Sequence, residues 1–289
     1  DEIARTIAES AGSVHGSYGH RAEYDLAEAL GAVYDGHITS GDMACRFFQS
    51  GGEACAAAAR IARFVTDCEY VASCGYHGAA EEWAHAPAQG GIPREAIVRH
   101  LRFEFGDLLG MPTAARQAAC LMVEVPAWDD DDRISAFLRQ CRQICDEQHI
   151  PLIIDDVVCG FRLALAGSCE RYGVKADMVI LGKAMSAVGC TAAVVGRADL
   201  VDCLSDRVFY STTFGGAPYG CSVAAATVRW LAANREAAFG HLREVGTALK
   251  EGLNSVSGGK WKVEGQAERS VIVFDGGEEA RREWCGRMI

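Results

Sequence analysis

The 289-residue chain has no cluster of basic residues, and its formal net charge is −11. A nucleic-acid backbone is normally held by a basic footprint, so that class of partner is excluded, while a small anion at a local site is not. No window approaches the roughly 18 uncharged apolar residues of a membrane helix. Asp1 to Ala11 carries acids early and no apolar core, so no secretory leader is expected there. The 13 cysteines are odd in number and include no CxxC pair. At this length and without a leader, a disulfide framework is not expected. Cys141 and Cys145 instead read as small buried hydrophobes on one helix, and the expected compartment is a reducing, cytoplasmic one.

Several standard motifs are missing too. A phosphate loop needs G-x-x-x-x-G-K-[ST], but ahead of Lys183 position 177 is Asp, and position 184 is Ala. There is no dinucleotide G-x-G-x-x-G, no G-x-S-x-G elbow and no H-E-x-x-H or H-x-x-x-H zinc motif, so no metal site is expected.

What is present is a globular composition, 49% hydrophobic and 23% charged, with ample length for a large core. Short apolar runs alternate with helical periodicity. Tyr70–Ala72, Leu121–Val125, Leu152–Ile154, Met178–Leu181 and Ala192–Val195 read as strands. Ala54, Ala58, Ile61, Ala62 and Val65 share one helical face, as do Ile134, Phe137, Leu138, Cys141, Ile144 and Cys145 within 133–148. Apolar strands separated by helices indicate an α/β fold with a mostly parallel sheet sandwiched by helices. Such sheets bind ligands beyond the carboxyl ends of their strands. Helices are expected over 222–233 and 237–253, and an antiparallel pair within 260–274. A boundary near 240 divides the chain into a large domain, 1–240, and the start of a small C-terminal domain, 241–289.

Five segments carry candidate chemistry. Ser50-Gly51-Gly52-Glu53 fits a capping box, with uncovered first-turn amides that form an anion site, or simply a well-capped helix. Gly75-Tyr76-His77-Gly78 is a loop where a ring can approach a ligand, or a Gly-rich turn. Leu152-Ile153-Ile154 runs into Asp155 and Asp156. A buried Asp155 needs a partner, which could be Arg162 or the protonated nitrogen of a bound pyridine. Lys183 follows a buried strand and Gly182, a setting that suits Schiff-base chemistry. Ser211 to Pro218 sets hydroxyls beside paired glycines, suited to a phosphate or to a loop before a helix.

In this order the five segments resemble the class-III, fold-type I aminotransferases that use pyridoxal 5'-phosphate, and within them the glutamate-1-semialdehyde aminomutase-like members. The family's S-G-T-E-A is matched by Ser50 to Ala54, with Gly52 for Thr. G-Y-H-G is matched by Gly75 to Gly78, and D-E-V…G-F-R by Asp155 to Val157 and Gly160 to Arg162. G-K is matched by Gly182-Lys183, and T-F-G-G-x-P by Thr213 to Pro218. The spacing of 28 positions between Asp155 and Lys183 keeps these in register.

The resemblance implies that Lys183 carries the cofactor as a Schiff base and shuttles the proton between Cα and C4'. It implies that Asp155 pairs with the ring nitrogen, that Tyr76 and Val157 cover the two ring faces, and that the Gly51 and Gly52 amides hold the phosphate. Thr213 is implied to reach the phosphate of a neighbouring subunit, hence a homodimer. Ser50 and His77 complete the candidate cofactor-binding set. The implied activity is amino-group transfer, by an aminotransferase or 2,1-aminomutase acting on a small amino donor or acceptor. A decarboxylase or lyase on an amino acid, and a non-catalytic scaffold, are the alternatives.

The family's E-P-V reads Glu124-Val125-Pro126, so Glu124 receives no role, and no arginine is assigned to a substrate carboxylate. Tyr18, His77 and Trp128 are candidates to face a substrate. Relative to the family the chain is short at both ends.

Overall fold

The computed structural model describes residues 2–11, 19–39, 41–80, 83, 91–93, 95, 99–107, 109–126, 129–188 and 191–286. Tyr18 and Trp128 lie outside them.

Seven strands form one sheet: β1 (Met43–Phe48), β2 (Val71–Cys74), β3 (His100–Arg102), β4 (Leu121–Glu124), β5 (Leu152–Asp155), β6 (Met178–Leu181) and β7 (Ala192–Arg197). Their order is β1-β7-β6-β5-β4-β2-β3. The run from β6 through β5, β4 and β2 to β3 is parallel; β7 is antiparallel to both of its neighbours. Because β1 opposes β7 and β7 opposes β6, β1 runs in the same direction as β6.

Helices cover both faces: α1 (Glu2–Ser10), α2 (Arg21–Tyr34), α3 (Gly51–Thr66), α4 (Gly110–Ala115), α5 (Asp131–Gln148), α6 (Gly167–Tyr172), α7 (Ala198–Val201), α8 (Cys203–Asp206), α9 (Pro218–Ala233) and α10 (Arg235–Ser255). Successive side chains of a strand point to opposite faces. Met122, Ile153 and Ile180 therefore join α3 in one core layer, while Val123, Leu152, Ile154 and Val179 join α2, α5 and α9 in the other. Five buried alanines on α3, including Ala54, Ala58 and Ala62, give that helix a small-residue face against the sheet. Burial on both faces is why β2, β4, β5 and β6 read as continuous apolar runs.

A hairpin, β8 (Trp261–Gln266) and β9 (Arg269–Phe274), packs against α10 and precedes α11 (Gly277–Gly286). Residue 240 falls inside α10. The twelve cysteines among the described residues are free. Burial pushes the thiols of Cys74, Cys120 and Cys221 up to about 12, as inert core groups should behave. No helix among the described residues is long and apolar enough to cross a membrane.

Candidate active site

Parallel strands end together. β1, β2, β4, β5 and β6 deliver Gln49, Tyr76, Glu124, Asp155 and Lys183 to one edge of the sheet, around a cavity of about 340 Å³. Its lining also includes Ser50, Gly51, Gly52, Cys55, His77, Val157 and Thr191.

The start of α3 forms one wall. Ser50 Oγ accepts the Glu53 amide at 3.3 Å, and Glu53 Oε2 accepts the amides of Ser50 and Gln49 at 3.2 and 2.9 Å. This is the expected capping box. It leaves the first-turn amides of Gly51 and Gly52 for a ligand, at the positive end of a 16-residue helix. Gly51 and Gly78 answer to close packing. A Cβ on Gly51 would lie 2.8 Å from Val157 Cγ2, and a Cβ on Gly78 (φ +118°) would lie 3.0 Å from Gly52 Cα. Backbone is thus presented bare where a side chain would fill the cradle.

Asp155 sits at the end of β5, only 3% exposed. His77 Nδ1 lies 2.7 Å from its Oδ2, the Cys55 thiol donates to the same oxygen at 3.4 Å, and the Val157 amide donates to Oδ1 at 3.2 Å. The sequence left Arg162 open as the partner; the structure supplies His77 instead. Cys55, His77 and Asp155 bring their donor atoms within 4.8 Å of one another. Two ligands of one tetrahedral zinc ion, at about 2.0–2.2 Å each, stand about 3.3 Å apart or more. The 2.7 Å His77–Asp155 approach is therefore a hydrogen bond that holds the carboxylate. Asp156 turns the other way, towards the amide and hydroxyl of Ser168. Burial pushes its carboxyl up to about 7 against those two hydrogen bonds, which hold it down.

Lys183 follows Gly182 and takes φ +43°, a left-handed conformation costly for a side chain of this kind. It opens a short 3₁₀ turn, Lys183–Met185, and lines the cavity. Tyr76 is 58% exposed at the mouth, while Val157 forms the wall beside Gly51 and Gly182. Thr213 is exposed in the turn before α9 and is not part of the cavity lining.

Glu124 is the residue sequence reasoning missed. It lines the cavity with 8% exposure, accepts the Tyr76 amide at 2.8 Å and pairs with Arg269 Nη2 at 2.8 Å. A charged residue closing a buried strand, as at Asp155, was the available signal. Cys55, Thr191 and Arg269 had none, because only folding brings them there.

Comparison with known proteins points to one family. Residues 133–265 match the aminotransferase class-III model. The chain is 31% identical over 281 residues to a glutamate-1-semialdehyde 2,1-aminomutase of Methanothermobacter thermautotrophicus, covering 90% of this chain and 64% of that protein. The matched stretch, residues 133–265, is that of a class-III aminotransferase. A second aminomutase, from Acetivibrio thermocellus, is 30% identical over 239 residues, 73% of this chain and 54% of its own length. The chain thus spans between about half and two thirds of these relatives.

Among solved structures, a transaminase with PLP bound superposes with a TM-score of 0.81 at 24% identity, over 96% of this chain and 71% of that one. An omega-transaminase from Sphaerobacter thermophilus gives 0.78 at 21%, over 96% and 69%. The fold is that of fold-type I transaminases.

Proposed function

We propose that this chain is a pyridoxal-phosphate-dependent enzyme that transfers an amino group, within one small substrate as a 2,1-aminomutase or between two as an aminotransferase. The observation that carries the reading is the convergence of Lys183, Asp155, a bare helix start and a half-open tyrosine on one cavity. The donor set fits the cofactor: free amides for an anion, a buried carboxylate for a cationic ring nitrogen, a lysine for an aldehyde. When bound, pyridoxal phosphate supplies an electron sink for charge developing at the substrate Cα.

The chain's own residues do the rest. The Gly51 and Gly52 amides hold the phosphate, with Ser50 fixing the helix start. Tyr76 and Val157 confine the two ring faces. Asp155 keeps a proton on the ring nitrogen, and His77 holds Asp155 in place. Lys183 Nζ would hold the cofactor through its aldehyde and would carry the proton taken from the substrate Cα. Thr213, exposed and clear of its own cavity, serves the phosphate of a second copy in a homodimer. The large part, 1–240, binds the cofactor, and 241–289 begins a smaller part. A cytoplasmic enzyme acting on small amino donors or acceptors follows from the same reading.

The relatives named as aminomutases favour transfer within one substrate. A decarboxylase or lyase would release CO₂ or ammonia with no acceptor required. Titrating the purified protein with pyridoxal phosphate tests the reading: a visible absorption band is expected, lost in Lys183→Ala together with turnover. Parent protein without a band contradicts it.

A further inference from the structure

The hairpin β8–β9 reaches the candidate active site through the side chain of Arg269. Arg269, on β9, is largely buried, with 13% of its side chain exposed. Its Nη2 donates to Glu124 Oε1 at 2.8 Å, and its Nη1 donates to the Val125 carbonyl and lies 3.1 Å from Cys159 Sγ. The other oxygen of Glu124 accepts the amide of Tyr76 at 2.8 Å. One carboxylate thus joins a residue 145 positions away to the loop that carries the ring-facing tyrosine.

The joint has no slack. Gly75 takes φ +100°, and a Cβ there would lie 2.5 Å from Glu124 Cβ, so the loop backbone rests directly on the Glu124 stem. The hairpin is itself bound to α10: Asn254 Oδ1 accepts the Val263 amide at 2.7 Å, and Lys250 donates to the Gly265 carbonyl at 2.6 Å. Gln266 adds a second tether, donating to Asp131 Oδ1 at the start of α5 at 2.7 Å. Hairpin and α10 are thus joined by hydrogen bonds, and Arg269 is where the hairpin grips the end of β4.

We propose that Arg269 and Glu124 are positioning residues: a relay through which the seat of the C-terminal hairpin sets Tyr76 over the cofactor. A buried carboxylate deprived of its cation must find water or another partner. Without Arg269, Glu124 swings towards the open cavity and releases the Tyr76 amide. The relay couples the seating of the hairpin to the affinity of the cavity for its cofactor. It rests on the reading that pyridoxal phosphate occupies this cavity.

A double-mutant cycle with Arg269→Met and Tyr76→Ala tests it, read by the dissociation constant for pyridoxal phosphate and the visible circular dichroism of the bound cofactor. Thermal unfolding without cofactor serves as the control for folding. Expected is about tenfold weaker binding and an altered visible dichroism in Arg269→Met, with the double variant no weaker than Tyr76→Ala alone. Additive losses, or unchanged affinity and dichroism in Arg269→Met, overturn the relay. Should Arg269→Met not fold, Glu124→Ala takes its place, because it removes both the acceptor of the Tyr76 amide and the charge that Arg269 pairs with. The same two outcomes then decide. A parent protein that binds no pyridoxal phosphate overturns the relay together with the functional reading, whereas a binding parent with an additive cycle overturns the relay alone.

Discussion

Two adjacent acids at the end of β5 meet opposite surroundings. Asp155 faces the cavity under a histidine, a thiol and an amide; Asp156 faces the core against Ser168 and Gly167, where a Cβ would lie 1.9 Å from its Oδ2. Burial raises the Asp156 carboxyl to about 7, so between the ordinary carboxylate range and pH 7 the folded chain keeps a proton the unfolded chain has lost. Stability from this group falls as pH rises through that window and is level above it. Asp156→Asn removes the slope. In urea unfolding the variant gains on the parent between pH 5 and pH 8 by a few kcal/mol, at about 1.4 kcal/mol per pH unit of displacement. An unchanged difference across that range would mean the acid is ionised throughout.

Asp177 behaves in the contrary way. Burial pushes its carboxyl up, but Arg142, the Leu152 amide and Thr39 outweigh that and hold it below its usual range. At the residue scale, Asp155 and Lys183 were legible because each ends an apolar run. Glu124 and Arg269 were not, since their meaning is a contact between residues far apart in the chain.

Among elements, the start of α3 carries most of the chemistry. The capping pattern, the glycines and the alanine face were all readable, because each is a local rule. Two substitutions separate capping from ligand holding. Ser50→Ala removes the cap and costs about 1 kcal/mol of stability. Gly51→Ala places a methyl 2.8 Å from Val157, so the helix start or the Val157 wall must shift. Expected in Gly51→Ala is clearly weaker binding in a pyridoxal phosphate titration, with the fold retained by far-ultraviolet dichroism; parent-like binding would remove the cradle role.

The strands show where local rules end. β4, β5 and β6 were read nearly to the residue, being short, apolar and buried on both faces. β1 was missed because its Met-Ala-Cys-Arg-Phe-Phe run is half-buried and interrupted by Arg46, and β3 because it is three residues with a polar side chain at each end. The reversal of β7 leaves no mark in composition, since a fully buried strand reads the same in either direction.

At the scale of the molecule, one sheet edge gathers the ends of five strands with the start of α3, and that is how residues 49 to 183 come to share a cavity. The hairpin at 261–274 touches the same edge from beyond α10, so the site is completed by chain outside the main sheet. The aminomutase relatives are longer than this chain, which spans 54% and 64% of the two compared. The most direct measurement of the central claim is borohydride reduction of the pyridoxal-phosphate-loaded protein, followed by peptide mapping. Expected is a single cofactor adduct on Lys183, in the peptide that follows β6. A protein that takes up no cofactor, or an adduct on any other lysine, would contradict the assignment of this cavity as the active site.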